Sequence, residues 1–399
     1  DQVHSDGSTL WGGKPAKSNP NIETPERTVD VASDIPSVSL RKIPRPELQN
    51  TPDVTTEVGC AGRLGKFAEQ WQIVSKNDSI LQWIRGYKIP FVTQPQASRS
   101  IKPGTRSHDK EDILPVIAEL QKQGAIEPCE PMRGQWLSPF FLVKKPNGKN
   151  RFILNLKGLN QFLAPPHFKM EDIRSVTKLV QKNWFMSSID LKDAYFLVPI
   201  DPNHRKYLRF QYKNQFFEFT CLPFGLSVAP YVFTKIMRPV VKYLRSAGIL
   251  CLNYLDDILI LSENYEAGQS HIHVATTLLE SLGFLINYNK SSLIPSTRCT
   301  FLGFIIDSHS MSLELPNEKQ RRILKLVNEI KLSKKLQIRK LAHTLGVLGS
   351  SCPAIKYGWL YTKRLERDKY LALRRTNGNY NAYMHLSKHS FEDLDWWLL

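Results

Sequence analysis

The period of the apolar positions changes repeatedly along this chain, and each change predicts an element. Leu64, Phe67 and Trp71 fall on one helical face and Ile80, Leu81 and Ile84 on another, so residues 59–92 predict a short helical pair. From Asp109, the positions Ile113, Leu114, Ile117 and Leu120 keep helical spacing until Gly124 stops the run. In SPFFLVKKPNGKNRFILNL two apolar runs flank Pro146-Asn147-Gly148, a hairpin-turn composition. SSIDLKDAYFLVPI reads as a strand, and KYLRFQYKNQFFEFTCL as a strand pair turning at Lys213-Asn214. A helix is expected after Pro230, which suits a first turn, and Pro239 is expected to bend or end part of it. CLNYLDDILIL predicts strand, tight acidic turn, strand. Residues 266–282 predict an amphipathic helix closed by Gly283, and FLINYNKSSL and TRCTFLGFIID read as strands. Beyond Pro316 the pattern is helical again, with Ile338, Leu341, Ala342, Leu345 and Leu348 on one face. Strands interleaved with helices, then a helical tail, predict an α+β sheet domain with appendages.

Composition adds an arm and a partner. Residues 1–58 carry Pro15, Pro20, Pro25, Pro36, Pro44, Pro46 and Pro52, an acidic excess and little periodicity, and predict a disordered arm. Residues 59–104 follow as a short helical extension, and residues 311–399 as a basic helical tail. With 399 residues and 42% hydrophobic content, two or three subdomains are expected. A net charge of +17 calls for a polyanionic partner, nucleic acid first and an anionic membrane second. No apolar run is long enough to span a bilayer. The opening DQVHSDGSTLWGGKP lacks both a signal peptide and an initiator Met. The expectation is a fragment or processed product located intracellularly, in cytoplasm or nucleus, and not secreted. Cys60, Cys129, Cys221, Cys251, Cys299 and Cys352 form no CxxC pair, so buried free thiols are expected and a zinc site is not. His271 and His273 stand two apart on a helix and share no face for a metal.

Chemistry gathers at the acids. Asp256-Asp257 sits between the runs Ile249–Leu252 and Ile258–Leu261. Taken alone, such a pair is more often a solvated turn, but crowded like charges also suit a divalent cation with hard oxygen ligands. Asp190 ends the strand-like Ser188-Ile189. Two carboxylates from neighbouring strands are the minimum scaffold for two metals roughly 3.5–4 Å apart that move a phosphoryl group. Leu222–Pro230 lies between the two acid sites as a Gly-containing turn into a helix, which could floor a base pair.

These residues carry a family resemblance. Tyr254-Leu255-Asp256-Asp257 resembles the YxDD box of reverse transcriptases, and Asp190 in SSIDLKDAYFLVPI the first catalytic strand. LPFGLSVAPYVF resembles the template-and-base loop, and GFLINYNKSSL the helix-strand element with its Lys. TFLGFIID resembles the primer-grip hairpin, and SPFFLVKKPNGKNRFILNLKGLN the fingers hairpin. All fall in the family's order over roughly residues 105–310. The flanks, GRLGKFAEQWQIV and RKLAHTLGVLGSSCPAIKYGWLYTKRLERDK, are similar to DIRS-type (tyrosine-recombinase) retrotransposons.

The resemblance implies a right-hand polymerase: fingers at 105–189 and 201–220, palm at 190–200 and 221–310, a thumb beyond. It implies an RNA-directed DNA polymerase that takes a primed RNA or DNA template, dNTPs and two Mg²⁺, with Mn²⁺ as an alternative. Asp190 and Asp256 would bind the metals with the Leu191 carbonyl, and Asp257 would orient the cluster. Lys144 and Arg151 would hold the triphosphate, with Lys145 and Lys149 competing for that role. Tyr195 would lie under the sugar and reject a 2′-hydroxyl, and Phe224 and Gly225 would contact the pairing base. Tyr254 would touch the primer terminus, Lys290 would donate a proton to pyrophosphate, and Leu302, Gly303 and Phe304 would grip the primer. The basic tail would meet duplex phosphates.

Asn155 departs from the Asp of many relatives, and Phe224 from the Gln of retroviral enzymes. An RNA-copying RNA polymerase would need a polar 2′-hydroxyl reader near the first Asp, where Tyr195 stands. The rival of a different class is a domesticated, inactive element that only binds nucleic acid.

Overall fold

The computed structural model describes residues 59–96, 113–144, 148 and 150–399. The expected arm at 1–58, the helix start at Asp109 and the hairpin residues Lys145, Pro146, Asn147 and Lys149 lie outside the described residues.

Three short helices come first: α1 (Arg63–Lys66), α2 (Trp71–Val74) and α3 (Asp78–Arg85). Leu64, Trp71 and Ile84 are fully buried, and Trp71 Nε1 donates to the Leu282 carbonyl at 3.0 Å, pinning the extension to the body. Asn77 caps α3 by accepting from the Ile80 amide. Next come α4 (Ile113–Lys122), β1 (Ile126–Cys129) and the antiparallel hairpin β2 (Phe140–Lys144) and β3 (Asn150–Leu154). A 3₁₀ turn at Leu159–Phe162 leads to α5 (Ile173–Leu179), whose Asp172 and Ser175 form a capping box.

β4 (Phe185–Asp190) is shorter than the strand expected from SSIDLKDAYFLVPI. After one bridge at Leu191, Asp193 turns left-handed (φ 50°) and Ala194–Leu197 winds into a 3₁₀ turn. Phe196, Leu197 and Val198 are all buried, and a continuous apolar run does not separate a strand from a tight helix. α6 (Pro202–Arg205), β5 (Arg209–Tyr212) and β6 (Gln215–Phe219) follow, with β1, β6 and β5 in one antiparallel sheet. Inside it Arg209 and Glu218 form a buried ion pair at 2.6 Å.

α7 (Ala229–Ser246) runs through Pro239 instead of ending there. Its buried face, Val232, Phe233, Ile236, Met237, Val240, Val241 and Leu244, outweighs the one backbone hydrogen bond a proline removes. β7 (Leu250–Tyr254), β8 (Asp257–Ser262), α8 (Tyr265–Ser281) and β9 (Ser292–Ser296) complete a four-stranded sheet of order β7-β8-β4-β9. Two sequence expectations change here. Of FLINYNKSSL, only Ile286 bridges before a turn, and the strand begins at Ser292. Phe185–Ile189, expected among the fingers, belong to the same sheet as the Asp256-Asp257 hairpin.

β10 (Arg298–Phe301), β11 (Phe304–Asp307) and β12 (Ser312–Glu314) form a separate meander. The tail is α9 (Asn317–Lys331), β13 (Leu336–Gln337), α10 (Ile338–Ser351), α11 (Lys363–Arg375), β14 (Tyr383–Met384) and α12 (Lys388–Trp396).

The four-stranded sheet divides two cores. Ile189, Cys251, Ile258 and Ile260 face one, with α7, α8 and the N-terminal helices. Met186, Leu252, Leu259 and Leu261 face the other, with α5, the meander and α9–α12. Alternate residues of one strand therefore go to opposite cores, which is why β8 reads as an unbroken apolar run. All six cysteines are free, and burial pushes the thiols of Cys60, Cys129, Cys299 and Cys352 up to about 11. Among the described residues no helix is long and apolar enough to cross a membrane.

Candidate active site

The two acid sites meet at one end of the four-stranded sheet. Asp190, the last residue of β4, is paired with Asp257, the first of β8, and Tyr254 closes the β7–β8 hairpin opposite Asp257. Only Leu255 and Asp256 form the turn, and Leu255 is left-handed (φ 54°). That conformation costs a leucine about 1–3 kcal/mol. Local bonds hold it: Asn253 Nδ2 donates to the Leu255 carbonyl at 2.8 Å. Leu191, past the end of β4, donates its backbone N–H to the Asp256 carbonyl at 2.9 Å and so ties both acid segments together.

Support comes from behind. Glu171 accepts from the Asn253 backbone N–H at 2.8 Å and from the Arg245 guanidinium, which itself donates to the Cys251 carbonyl. On the other flank Asn287 Nδ2 donates to Asp190 Oδ1 at 2.8 Å, and Ser291 Oγ accepts from the Asp190 backbone N–H at 3.0 Å. None of Glu171, Arg245, Asn253, Asn287 or Ser291 was singled out by sequence reasoning. The available signal was a polar residue inside apolar or catalytic segments, as Asn253 is in LCLNY.

Charge at the site is crowded. Asp256 is exposed at the turn and Asp257 is half-buried. Desolvation by surrounding atoms, then the negative Asp190, holds Asp256 above the usual carboxylate range, while Lys290 and Arg151 pull it down. Asp257 is pushed up to about 6, first by desolvation and then by Asp256 and Asp190. These carboxylates fit a hard cation, which would relieve their repulsion. Among the described residues no three His, Cys, Asp or Glu side chains form a ready metal cage. Mg²⁺ in general takes one or two protein carboxylates and completes its shell with water and substrate phosphates.

The other expected residues divide. Arg151 lies over the Phe224 ring at 5.6 Å, Phe224 meets Tyr195 edge-on at 5.3 Å, and Tyr195 packs on Phe233 at 5.6 Å. Burial and the Asp256 charge push the Tyr195 phenol up to about 12, so it stays neutral. Arg151, Lys290 and Tyr195 thus lie close enough to Asp256 for their charges to interact, and Phe224 packs between Arg151 and Tyr195. Lys144 does not join them. The hairpin register pairs Lys144 with Asn150 and Arg151 with Val143, so the two cations leave opposite faces of the ladder.

Gly225 takes a φ of 101°, and a Cβ there would stand 2.9 Å from the Leu154 carbonyl oxygen. Asn160 clamps this turn at both ends, donating Nδ2 to the Gly225 carbonyl and accepting from the Ser227 N–H, each at 2.9 Å. This too was missed from sequence. Leu302 (φ 49°) and Gly303 (φ 73°) form the two-residue turn between β10 and β11. Phe304 is buried below the Lys319 ammonium, 4.4 Å from its ring centre, as a core residue of the meander. His271 Nδ1 bonds Ser262 Oγ at 2.9 Å, a structural role.

A four-stranded antiparallel sheet with helices on its faces, carrying acids at a hairpin tip beside a basic two-stranded finger, is the right-hand polymerase fold. Solved structures agree. A foamy viral protease-reverse transcriptase in complex with ds DNA superposes with a TM-score of 0.62 at 20% identity, covering 88% of this chain and 62% of that one. The foamy viral protein in complex with RNA/DNA hybrid gives 0.60 at 20% identity, over 88% and 47%.

Residues 143–306 match the family model described as "Reverse transcriptase (RNA-dependent DNA polymerase)". Among curated relatives, the enzymatic polyprotein of Figwort mosaic virus (strain DxS) is 28% identical over 231 residues, 57% of this chain and 33% of that protein. The retrovirus-related Pol polyprotein from transposon opus of Drosophila melanogaster is 26% identical over 203 residues, 50% of this chain and 20% of that protein. The chain spans a third or less of the length of these two polyproteins.

Proposed function

We propose that this chain is an RNA-directed DNA polymerase that extends a primer on an RNA or DNA template with dNTPs, in the replication of a retrotransposon. The observation that carries the reading is the pairing of Asp190 with the Asp256-Asp257 hairpin, with Arg151 and Lys290 near enough to offset the Asp256 charge. The flanking sequences that resemble DIRS-type elements support that finer placement. The division proposed is fingers, palm and thumb, with β4 in the palm. The net charge of +17 and the basic α9 support contact with duplex phosphates.

Asp190 and Asp256, with the Leu191 carbonyl, would hold two Mg²⁺ or Mn²⁺, and Asp257 would orient them. When bound, such ions lower the pKa of the attacking 3′-hydroxyl and neutralise charge on the phosphates. The protein does the rest. Arg151 offers a bidentate fork to the triphosphate, held in place by the Phe224 ring, while Lys144 leaves the opposite face of the hairpin and is not assigned to it. Tyr195, fixed between Phe224 and Phe233, closes the space beneath C2′ and favours deoxynucleotides. Phe224 and the open Gly225 backbone face the pairing base, and Tyr254 and the Leu302-Gly303 turn, backed by the buried Phe304, position the primer. Lys290 gives its proton to the departing pyrophosphate. An intracellular site, cytoplasm or nucleus, follows from this reading because template and dNTPs are there.

The test is primer extension on an RNA template with dNTPs and Mg²⁺, wild type against Asp256→Asn. Extension that disappears in the variant supports the reading. A folded wild type that binds primer–template without extending it would favour the binding-only alternative.

A further inference from the structure

The turn that follows α8 does more than carry Lys290. It grips Asp190 by four linked bonds. The Asn287 backbone N–H donates to the Asp190 carbonyl at 2.8 Å, and Asn287 Nδ2 donates to Asp190 Oδ1 at 2.8 Å. The Asp190 N–H donates to Ser291 Oγ at 3.0 Å, and that hydroxyl donates to the Asn287 carbonyl at 2.9 Å. The same carbonyl accepts the N–H of Lys290 at 3.0 Å and of Ser291 at 2.9 Å, so the turn is a closed unit.

We infer that Asn287 is a positioning residue that fixes the Asp190 carboxylate for cation binding, and that Ser291 braces it. This deepens the proposed polymerase function and rests on that reading.

The chemistry of the pair supports the assignment. Only an amide in the Nδ2-inward orientation is attractive here, since Oδ1 facing a carboxylate oxygen would repel. By engaging Oδ1, the amide sets the side-chain torsion of Asp190. It leaves Oδ2 with no hydrogen-bond partner among the described residues. A carboxylate fixed through one oxygen and open at the other suits a hard cation whose remaining ligands come from water and substrate. A neutral donor does this without adding charge beside Asp190, Asp256 and Asp257. An acid at the same position would add a like charge beside three carboxylates already crowded at the end of the sheet. The backbone bonds survive any substitution except proline, so the side-chain bond can be removed while the turn persists.

The test compares wild type with Asn287→Leu, which keeps the branched heavy-atom shape and loses the donor, Asn287→Asp, which loses the donor and adds a charge, and Asn287→His, which restores an N–H donor. Mn²⁺ affinity is read by electron paramagnetic resonance on the enzyme–primer–template complex, beside kcat and KM for dNTP, primer–template Kd and Tm. For Asn287→Leu we expect Mn²⁺ affinity and kcat to fall about 10- to 100-fold. Primer–template Kd and Tm should stay near wild type. Asn287→Asp should lose at least as much, and Asn287→His should recover part of the loss. Mn²⁺ affinity and kcat within twofold of wild type in Asn287→Leu would overturn the inference. So would a loss that tracks Tm or primer–template binding instead of the metal. The wild-type extension assay separates the two ideas: if it fails, the polymerase reading fails, while the Mn²⁺ comparison still decides whether Asn287 positions Asp190.

Discussion

Replacing Gly225 by alanine tests how closely the fingers hairpin sits over the site. The new Cβ would lie 2.9 Å from the Leu154 carbonyl oxygen, a backbone atom in β3 that cannot swing aside as a flexible side chain would. The backbone φ of 101° is itself unsuited to an L-residue and costs about 1–3 kcal/mol. Relief of the contact must move the hairpin or the turn, adding about 1–2 kcal/mol of overpacking strain. The total is about 2–5 kcal/mol, enough to break the Asn160 clamp on Gly225 and Ser227. Phe224 would then shift from between Arg151 and Tyr195. The assay is steady-state primer extension with varied dNTP, together with thermal unfolding. We expect KM for dNTP to rise by about tenfold or more, as 1.4 kcal/mol of lost substrate interaction gives tenfold. Gly134→Ala is the control: its φ of 79° carries a similar backbone cost, but nothing lies within 4 Å of the added Cβ. It should lower Tm modestly and leave KM alone. Wild-type KM and Tm in Gly225→Ala would refute the packing argument.

Four further outcomes follow from the geometry. Arg151→Ala should raise KM for dNTP more than Lys144→Ala, because only Arg151 faces the Asp256 cluster; steady-state kinetics of the two variants decide it, and equal effects would contradict the register argument. Without divalent ions, stability should fall as pH rises through about 6, because the folded state holds the Asp257 proton more tightly than the unfolded chain. Thermal melts should show this loss between roughly pH 4 and 7, and it should shrink in Asp257→Asn or on adding Mg²⁺ at pH 8. Arg209→Ala should cost about 3–5 kcal/mol in denaturant unfolding, because it strands the buried Glu218 carboxylate, whereas Arg209→Met with Glu218→Leu should cost much less. Tyr195→Ala should let ribonucleotides compete with dNTPs in the extension assay, and unchanged discrimination would remove Tyr195 from the sugar site.

Much of this protein was legible in its sequence, for local reasons. Two acids between apolar runs predict a strand–turn–strand hairpin, and the hairpin is there, although its turn is Leu255-Asp256 and Asp257 already belongs to β8. The order of the segments around Asp190, Phe224 and Asp256 likewise supplied the fold class. Helix faces such as Ile338, Leu341, Leu345 and Leu348 were written in the spacing of apolar side chains, although Thr344 takes the buried place expected of Ala342. Tertiary structure decided what spacing does not encode. Pro239 stays within α7 because a long buried face outweighs one missing hydrogen bond. SSIDLKDAYFLVPI leaves the strand after Asp190, and the buried run Phe196–Val198 carries no periodicity to mark the change, so strand and 3₁₀ turn look alike in sequence. Pairing register put Arg151 over Phe224 and sent Lys144 to the other face, a parity that the sequence could not fix without knowing which residues pair. Asn287, which bonds the Asp190 carboxylate, and Glu171, which braces the β7–β8 hairpin through the Asn253 backbone, come from distant segments, and a single hydrogen-bonding side chain leaves no period to read.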